Sequence, residues 1–468
     1  MNYELGKMNY DLKYKVWNFE LLSRILLFTL HFSLFTILGC KPDFKPATVN
    51  TGFANLNYCL YMGGDFMSGY TNGALSSSGQ YNSIPYLFNQ QLTKVGINTY
   101  YLQHFVAPPN GYGLNFPQTN PKFVTSLHLG NYIDCQGATS LFPLNDSIPI
   151  HDPTLHYELT YNQQFTQYSV EAVPYAKITE YNSNSIAVEF GINPYYPSIA
   201  SNQGFSTMLS DAFVQQYTFF ILWAGMEDVY QYAQGGGQTD SLTDFNSFDA
   251  TFENVFDSLI QKGGHGVVAN IPDLDVFPFY TYIPWNGLVL TDSQAKALNN
   301  NMPSQIRYTA GPNGFFIYDS TLIGLKYRHM NADEYVLLTV PSDSIKCDLL
   351  GSVFSLNAMN ILNHYQVANI NAAIQHFNAK IAASAALHNI PLVDMNSYFR
   401  NLKSGFYYDG IKFSSTFITG AFFSIDGYHP TGQGYGLLTN EFIKTINGFY
   451  HSTIPLVDIT KLPGVIFP

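Results

Sequence analysis

The chain has 468 residues and a formal net charge of −12, and 46% of its residues are hydrophobic while only 12% are charged. Many aromatic side chains and few charges are the opposite of the composition of a disordered chain, so most of this chain should fold. The acidic balance excludes a nucleic-acid-binding protein, because such proteins neutralise phosphates with Lys and Arg. The length allows one large domain or two to three ordinary ones.

The N-terminus has the pattern of an export signal. Four basic residues precede the apolar stretch "ILLFTLHFSLFTIL", residues 25–38, which is followed by Gly39 and Cys40. The stretch is shorter than the about 20 apolar residues that span a bilayer, and a basic start with a short apolar centre is typical of a secretory signal. "ILGC" resembles the lipobox of bacterial lipoproteins, in which the Cys becomes the lipidated first residue.

We therefore expect a signal peptide over residues 1–39, lipidation at Cys40 and a tether over residues 40–52. This places the protein in the cell envelope, held by its lipid at the outer membrane on the periplasmic or the surface face. A short anchor helix or a buried core segment is the alternative interpretation of the apolar stretch.

Three cysteines remain in the mature chain, namely Cys59, Cys135 and Cys347. An odd and widely spaced set indicates neither a disulfide framework nor a metal site. We expect buried or half-buried thiols with at most one bridged pair, and the sequence leaves the pairing open.

Five short apolar runs are predicted to be strands. Several are continuously apolar rather than alternating, as in strands that are buried on both faces of a parallel sheet. The runs are residues 57–62, 168–173, 219–224, 266–271 and 391–395. Helical patterns lie between or after them, over residues 205–217, 249–262 and 357–388 and from residue 431 onward. This alternation predicts an α/β fold with an open, doubly wound sheet.

Two stretches interrupt the alternation. Residues 100–165 and 275–350 are rich in Tyr, Pro, Asn and Gly and lack long helical periodicity. Both are too long for simple loops. We interpret them as insertions that cover the carboxyl edge of the sheet. They belong to a single domain that spans residues 53–456 and is followed by a tail over residues 457–468.

Four sequence blocks carry a resemblance to a known family. They are "GGDFMSGYTNGAL" (residues 63–75), "VPYAK" (173–177), "WAGMEDVYQYA" (223–233) and "FSIDGYHPTGQGY" (423–435). In order, spacing and flanking residues they resemble the conserved blocks of the SGNH (GDSL) hydrolases, and in particular the large lipoprotein members of the bacterial envelope. The resemblance implies a flavodoxin-like, three-layer fold around a five-stranded parallel sheet.

The family resemblance also implies a catalytic arrangement. In the family, a first-block Ser attacks an ester, a last-block His takes its proton, and an Asp three residues earlier orients that His. The Ser N–H, a second-block Gly N–H and a third-block Asn side chain form the oxyanion hole. In this chain the matching dyad is Asp426 and His429.

The other three positions differ from the family. The ungapped match puts Asp65 at the Ser position, or Phe66 if the "GD" pair is aligned instead, and Ser68 lies one helical turn away. Tyr175 takes the Gly position and Glu227 takes the Asn position. Glu227 thus supplies an acceptor where the family has a donor. We predict that Asp65, Tyr175, Glu227 and His429 converge at the carboxyl ends of the strands.

These replacements predict the loss of serine-type esterase activity. Loss of the nucleophile typically costs about 10⁶ in rate, and loss of one oxyanion donor costs about 10²–10³. We expect a non-catalytic pseudoenzyme that binds a carbohydrate, an acyl ester or an envelope partner, without cofactor or metal and with its oligomeric state left open. The alternatives are a hydrolase whose acid/base chemistry uses Asp65, Glu227 and His429, and a residual esterase with Asp65 as nucleophile.

Overall fold

We describe the fold from a computed structural model of the chain. It describes residues 23–29, 49–97, 101–106, 111–114, 123–145, 168–187, 193–214 and 216–468. The chain divides into two compact units, residues 1–48 and residues 49–468. In the first unit, residues 23–29 are helical, whereas Cys40 and most of the predicted signal peptide and tether lie outside the described residues.

The strands of the second unit are numbered in chain order. They are β1 (Cys59–Gly63), β2 (Gly113–Leu114), β3 (Phe123–Val124), β4 (His128–Ile133), β5 (Thr139–Leu144), β6 (Val170–Ala172), β7 (Phe219–Trp223), β8 (Gly266–Ala269), β9 (Leu288–Leu290), β10 (Gly311–Asn313), β11 (Phe316–Tyr318), β12 (Tyr327–His329), β13 (Tyr335–Val336), β14 (Ile361–Leu362), β15 (Leu392–Val393), β16 (Phe406–Tyr408) and β17 (Ile411–Phe413).

The α-helices are numbered in the same way. They are α1 (Asp65–Ser68), α2 (Ser77–Gln80), α3 (Ile84–Lys94), α4 (Tyr196–Ile199), α5 (Met208–Ala212), α6 (Glu227–Gln234), α7 (Phe245–Gly263), α8 (Pro278–Thr281), α9 (Asp292–Asn301), α10 (Ser342–Cys347), α11 (His364–Leu387), α12 (Met395–Ser404) and α13 (Gly432–Tyr450). Among the described residues, no helix combines the length and apolar character that a membrane span requires.

The central sheet has five parallel strands in the order β15-β8-β7-β1-β6. Numbered along the chain, this is the order 2-1-3-4-5 of a flavodoxin-like, doubly wound sheet. Every residue of β1, β7 and β8 is buried, which explains why these strands are continuously apolar in sequence. The predicted α/β fold and its five strands are confirmed.

Helices cover both faces of the sheet. Phe219 contacts Tyr450 of α13, whereas the next residue, Phe220, contacts Phe256 of α7. Because successive residues of a strand point to opposite faces, α13 and α7 lie on opposite sides, and the molecule has three layers. Helix α3 shares the face of α13, and α11 packs against α7.

Two predicted helices are shorter than expected, for a local reason. The helix predicted from residue 205 begins at Met208, because the Thr207 side chain accepts a hydrogen bond from the Ser210 N–H and caps it. The helix predicted from residue 357 begins at His364, where Asn363 forms a capping box with Gln366. Before that cap, the chain forms β14 instead.

The regions interpreted as insertions carry short strands of their own. The first contains the hairpin β4–β5, and the second contains the pairs β9–β10 and β11–β12. A separate apolar cluster around Phe315, Ile317 and Val336 supports the second region. At the other end, the residues after α13 pack back onto it, since Val457 and Ile459 are buried and the Gln433 N–H donates to the Pro463 carbonyl.

Candidate active site

Asp65 begins α1, directly after the glycine pair that ends β1. Asp65 is 4% exposed and its Oδ2 lies 3.2 Å from Nε2 of His429. Phe66 instead packs its ring against Trp223 in the core, and the Ser68 hydroxyl donates back to the Asp65 carbonyl. Of the three residues, the structure therefore places Asp65 within hydrogen-bonding distance of the His429 imidazole.

Asp426 and His429 come from the loop that precedes α13. Nδ1 of His429 lies 2.9 Å from Oδ2 of Asp426, so the imidazole bridges two carboxylates. Asp426 also accepts hydrogen bonds from the N–H groups of Gly73, Tyr428 and His429. The Asp426 carboxylate thus holds the imidazole and the backbone at Gly73 and at residues 428–429 in place. Asp65, His429 and Asp426 form one continuous chain of hydrogen bonds.

The backbone N–H groups of Asp65 and Tyr175, at the positions that the resemblance assigns to an oxyanion hole, both donate to side chains of the chain itself. The Tyr175 N–H donates to Oδ1 of Asp65 at 2.8 Å, and the Asp65 N–H donates to Oε1 of Glu227 at 2.8 Å. A donor that is already bound to a carboxyl group is not available to a substrate oxygen. The site is therefore filled where a serine-type hydrolase would be open.

Two backbone features make this filling possible. Tyr175 has a φ of +62°, in the left-handed region that favours glycine, so its N–H keeps an orientation that a Gly would adopt easily. Gly64 lets Glu227 approach, because a Cβ at residue 64 would lie 1.8 Å from Oε1 of Glu227. The sequence did not indicate the second feature, since the glycine pair has an ordinary role as a turn.

The charges of the site follow from burial and from its three acids. Burial alone would lower the pKa of His429, but the charge and hydrogen bond of Asp426, with a smaller effect of Asp65, raise that pKa to about 9. Burial works against ionisation of Asp426, yet His429 and the backbone N–H groups hold the pKa of Asp426 below its usual value. At neutral pH, His429 is therefore a cation.

Glu227 differs from the other acids of the site. Burial, followed by the negative charge of Asp65, raises the pKa of Glu227 well above its usual value, which favours the neutral form of this side chain. Its Oε2 is buried and has no hydrogen-bond partner among the described residues. Glu227 thus closes the site as a neutral acceptor for the Asp65 N–H.

The neighbouring Asp228 has a structural role. Its carboxylate accepts hydrogen bonds from the Ile178 N–H at 2.8 Å and from the Thr243 hydroxyl at 2.7 Å. Burial raises the pKa of Asp228 to about 6, although these hydrogen bonds oppose the effect. Asp228 connects α6 to the segment after Tyr175, which helps to hold the Tyr175 N–H in place.

A cavity of about 310 Å³ lies in front of the site. His429, Asp426, Tyr70 and Tyr175 line it, whereas neither Asp65 nor Glu227 is among the described residues that do so. A molecule in the cavity therefore reaches the His429 imidazole and the tyrosines, while the acids Asp65 and Glu227 lie behind them.

The β4–β5 hairpin forms one wall of the cavity through Leu141, Phe142 and Pro143. A disulfide between Cys135 and Cys347 joins the tip of this hairpin to α10 in the second insertion. Cys59 remains a buried thiol, so the structure has the one bridged pair that the sequence allowed. The pairing could not be read from the sequence, because the two cysteines are 212 residues apart.

One group of side chains has the composition of a metal site. Glu253, Asp257 and His388 bring three ligand atoms together, half-buried and between α7 and the end of α11. His388 already lies 3.0 Å from Asp257, and Lys380 pairs with Glu253. An ion-pair network therefore accounts for this group, and we assign neither a metal nor a cofactor to it.

Comparison with known proteins gives a likeness of fold. No model of a known protein family matches the chain, and no curated protein matches it. The chain is similar to an alpha/beta hydrolase from the metagenome of Lake Arreo, Spain, with 9% identity, a TM-score of 0.35 and coverage of 85% of this chain and 97% of that one.

Two further solved structures are similar to the same extent. An acetyl xylan esterase variant from Geobacillus stearothermophilus has 8% identity and a TM-score of 0.36, covering 86% of this chain and 98% of that one. A GDSL-like lipase from Parabacteroides merdae, whose activity is inferred, has 8% identity and a TM-score of 0.34, covering 85% and 99%. The four sequence blocks resemble this same class of hydrolase, but we base no statement about activity on likenesses of this size.

Of the residues singled out in the sequence, the structure brings Asp65, Tyr175, Glu227, Asp426 and His429 together at the carboxyl edge of the sheet. Sequence reasoning missed the contributions of Gly64 and Tyr70. Tyr70 donates to the Gly73 carbonyl and lies 3.2 Å, hydroxyl to hydroxyl, from Tyr175. The sequence singled out Tyr175, but nothing in it distinguished Tyr70 from the other tyrosines.

Proposed function

We propose that this chain is a non-catalytic binding protein of the bacterial cell envelope that uses the frame of an SGNH (GDSL) hydrolase. Its ligand, a carbohydrate or another molecule presented at the envelope, occupies the cavity in front of His429. The centre behind that cavity no longer hydrolyses esters. Four sequence blocks, the flavodoxin-like sheet and the convergence of the block residues support the assignment to this class of hydrolase.

One observation carries the loss of activity. Both backbone N–H groups at the oxyanion positions donate to side chains of the chain itself, Asp65 and Glu227, at 2.8 Å. In acyl transfer, these donors must instead point at the oxygen that becomes negative. An ester carbonyl that entered the cavity would find both of these N–H groups already bound.

The state of His429 supports the same conclusion. A general base must be able to accept a proton at the operating pH, and the pKa of His429 is raised to about 9. A nucleophile at position 65 would also have to reach the ligand, yet Asp65 is 4% exposed and lies behind the imidazole. Neither the altered acid/base chemistry nor the aspartyl nucleophile is therefore favoured.

The envelope location rests mainly on the N-terminal sequence, with its basic residues, apolar centre and Cys40. The Cys135–Cys347 disulfide supports export, because disulfides persist in oxidising compartments such as the periplasm. Labelling of Cys40 by radioactive fatty acid in a bacterial host, compared with Cys40→Ser, tests this part. An unlabelled wild type would contradict the lipoprotein assignment.

Hydrolysis of acetyl and short acyl esters tests the loss of activity. We expect the full chain, purified in mild detergent, to match His429→Ala at the background rate. The variant Asp65→Ser with Tyr175→Gly and Glu227→Asn rebuilds the family's three groups and should hydrolyse esters above that background. Turnover by the wild type that His429→Ala abolishes would show that the protein is an enzyme and would refute the proposal.

A further inference from the structure

The mouth of the cavity presents aromatic side chains to solvent. Seven of its twenty described lining residues are aromatic. Tyr282 is 57% exposed and Phe142 is 40% exposed, and the ring centroid of Tyr282 lies 4.7 Å from that of Phe417. Such large apolar surfaces at a cavity mouth match ligands that have a flat, weakly polar face, and the C–H face of a pyranose ring is one of these.

The described lining of the cavity offers no unpaired positive charge. Among its described lining residues, neither Lys nor Arg occurs, and the ionisable groups that carry charge are Asp426 and His429. His429 is already held between Asp426 at 2.9 Å and Asp65 at 3.2 Å. These three groups together carry one negative charge. Because the one cation of the described lining is already paired with two carboxyl groups, a ligand carboxylate would find no unpaired counter-ion among these residues and would be repelled by the excess negative charge.

The remaining polar groups of the cavity are uncharged. Asn145 and Gln234 contribute amides and Thr339 contributes a hydroxyl, each able to donate and to accept a hydrogen bond. This combination suits hydroxyl groups of a ligand. The volume of about 310 Å³ lies at the low end of cavities that bind small molecules, so a short ligand fits and a long chain does not.

We propose that the cavity takes an uncharged glycan of one or two sugar rings and discriminates against acidic sugars. The inference rests on the proposed binding function and specifies its ligand. The sugar stacks on the exposed rings at the mouth, its hydroxyl groups meet the amides and Thr339, and the negative charge behind the imidazole excludes carboxylates.

Saturation-transfer NMR with the full chain in mild detergent tests the charge preference. The probes are cellobiose, lactose and diacetylchitobiose against glucuronate, galacturonate and digalacturonate. We expect at least one neutral sugar to bind and every acidic one to bind at least about tenfold more weakly, as one uncompensated charge nearby requires. Equal or tighter binding of an acidic sugar, or binding of none of the neutral probes, would overturn the proposal.

Substitutions locate the binding in this cavity. Tyr282→Ala should weaken binding of the neutral sugar at least about tenfold. The control Tyr407→Ala, at a more exposed tyrosine that is not among the described lining residues of the cavity, should leave binding unchanged. Thr339→Lys adds a cation to the wall and should raise the affinity for the acidic probes. If Tyr282→Ala leaves sugar binding unchanged, the proposed glycan site in this cavity is refuted, even if a sugar binds to the protein.

These outcomes are distinct from those for the proposed function. Ester turnover by the wild type would refute the non-catalytic assignment without touching the charge preference. Absence of both turnover and sugar binding would refute the glycan inference and leave a non-catalytic protein with another partner.

Discussion

Replacing Asp65 with Asn should lower the pKa of His429. Burial lowers that pKa, and Asp426 and Asp65 together raise it to about 9. Asn has nearly the shape of Asp and removes one of the two negative charges that flank the imidazole. Oδ2 of Asp65 lies 3.2 Å from Nε2 of His429, close enough for the lost charge to act directly.

The magnitude follows from the two pKa values of His429. A folded-state pKa of about 9 against 6.5 for a free imidazole means that the site favours the imidazolium by about 3 kcal/mol, at about 1.4 kcal/mol per pKa unit. Asp426 supplies the larger part of this preference. For Asp65→Asn we therefore expect the pKa of His429 to fall by about one unit, at the lower end of the about 1–3 units that a neighbouring charge produces.

Titration by NMR measures this change directly. The chain has twelve histidines, so the imidazole signal of residue 429 is identified by its absence in His429→Gln. Asp426→Asn is the matched comparison and should lower the pKa further than Asp65→Asn. A wild-type His429 that titrates near 6.5, or an unchanged pKa in Asp65→Asn, would refute the charge assignment on which the inactive site depends.

The same pKa shift determines how His429 contributes to stability at different pH values. A group whose pKa is raised on folding stabilises the fold fully below its unfolded pKa and loses that effect as the pH rises through its folded pKa. The extra unfolding free energy of the wild type over His429→Gln should thus be complete below pH 6.5 and decline as the pH rises through about 9. Urea unfolding across this range provides the measurement, and a constant difference would contradict the prediction.

Three further changes test the packing around the site. Glu227→Gln should change the unfolding free energy at neutral pH by less than about 1 kcal/mol, because burial already favours the neutral form of Glu227. Glu227→Leu should instead cost about 1–3 kcal/mol, because it leaves the buried Asp65 N–H unpaired. Equal effects of the two substitutions in urea unfolding would refute this prediction. Asp228→Ala should cost a similar amount, since the Ile178 N–H loses its acceptor, and an unchanged melting midpoint would speak against the bracing role. Cys347→Ser should cost about 2–4 kcal/mol and speed hydrogen exchange in β4 and β5, and unaltered exchange there would show that the disulfide does not hold the cavity wall.

The fold could be predicted from the sequence because its signals are local. The strands β1, β7 and β8 consist of hydrophobic residues and glycine, since a parallel strand covered on both faces buries all its side chains. The starts of α5 and α11 were misplaced, because the capping residues Thr207 and Asn363 overrode the longer apolar pattern.

The sequence by itself determined which residues reach the carboxyl edge of the sheet, since each follows a strand or precedes the last helix. It also determined that Asp65 and Glu227 are acids where the family has a nucleophile and a donor. Only the tertiary structure decided that these acids occupy the N–H groups of Tyr175 and Asp65, that Cys135 pairs with Cys347, and that His429 is a cation. The physical reason is that hydrogen bonds, disulfides and pKa shifts depend on distances of a few ångströms and on burial, which segments far apart in the chain establish only when they pack together.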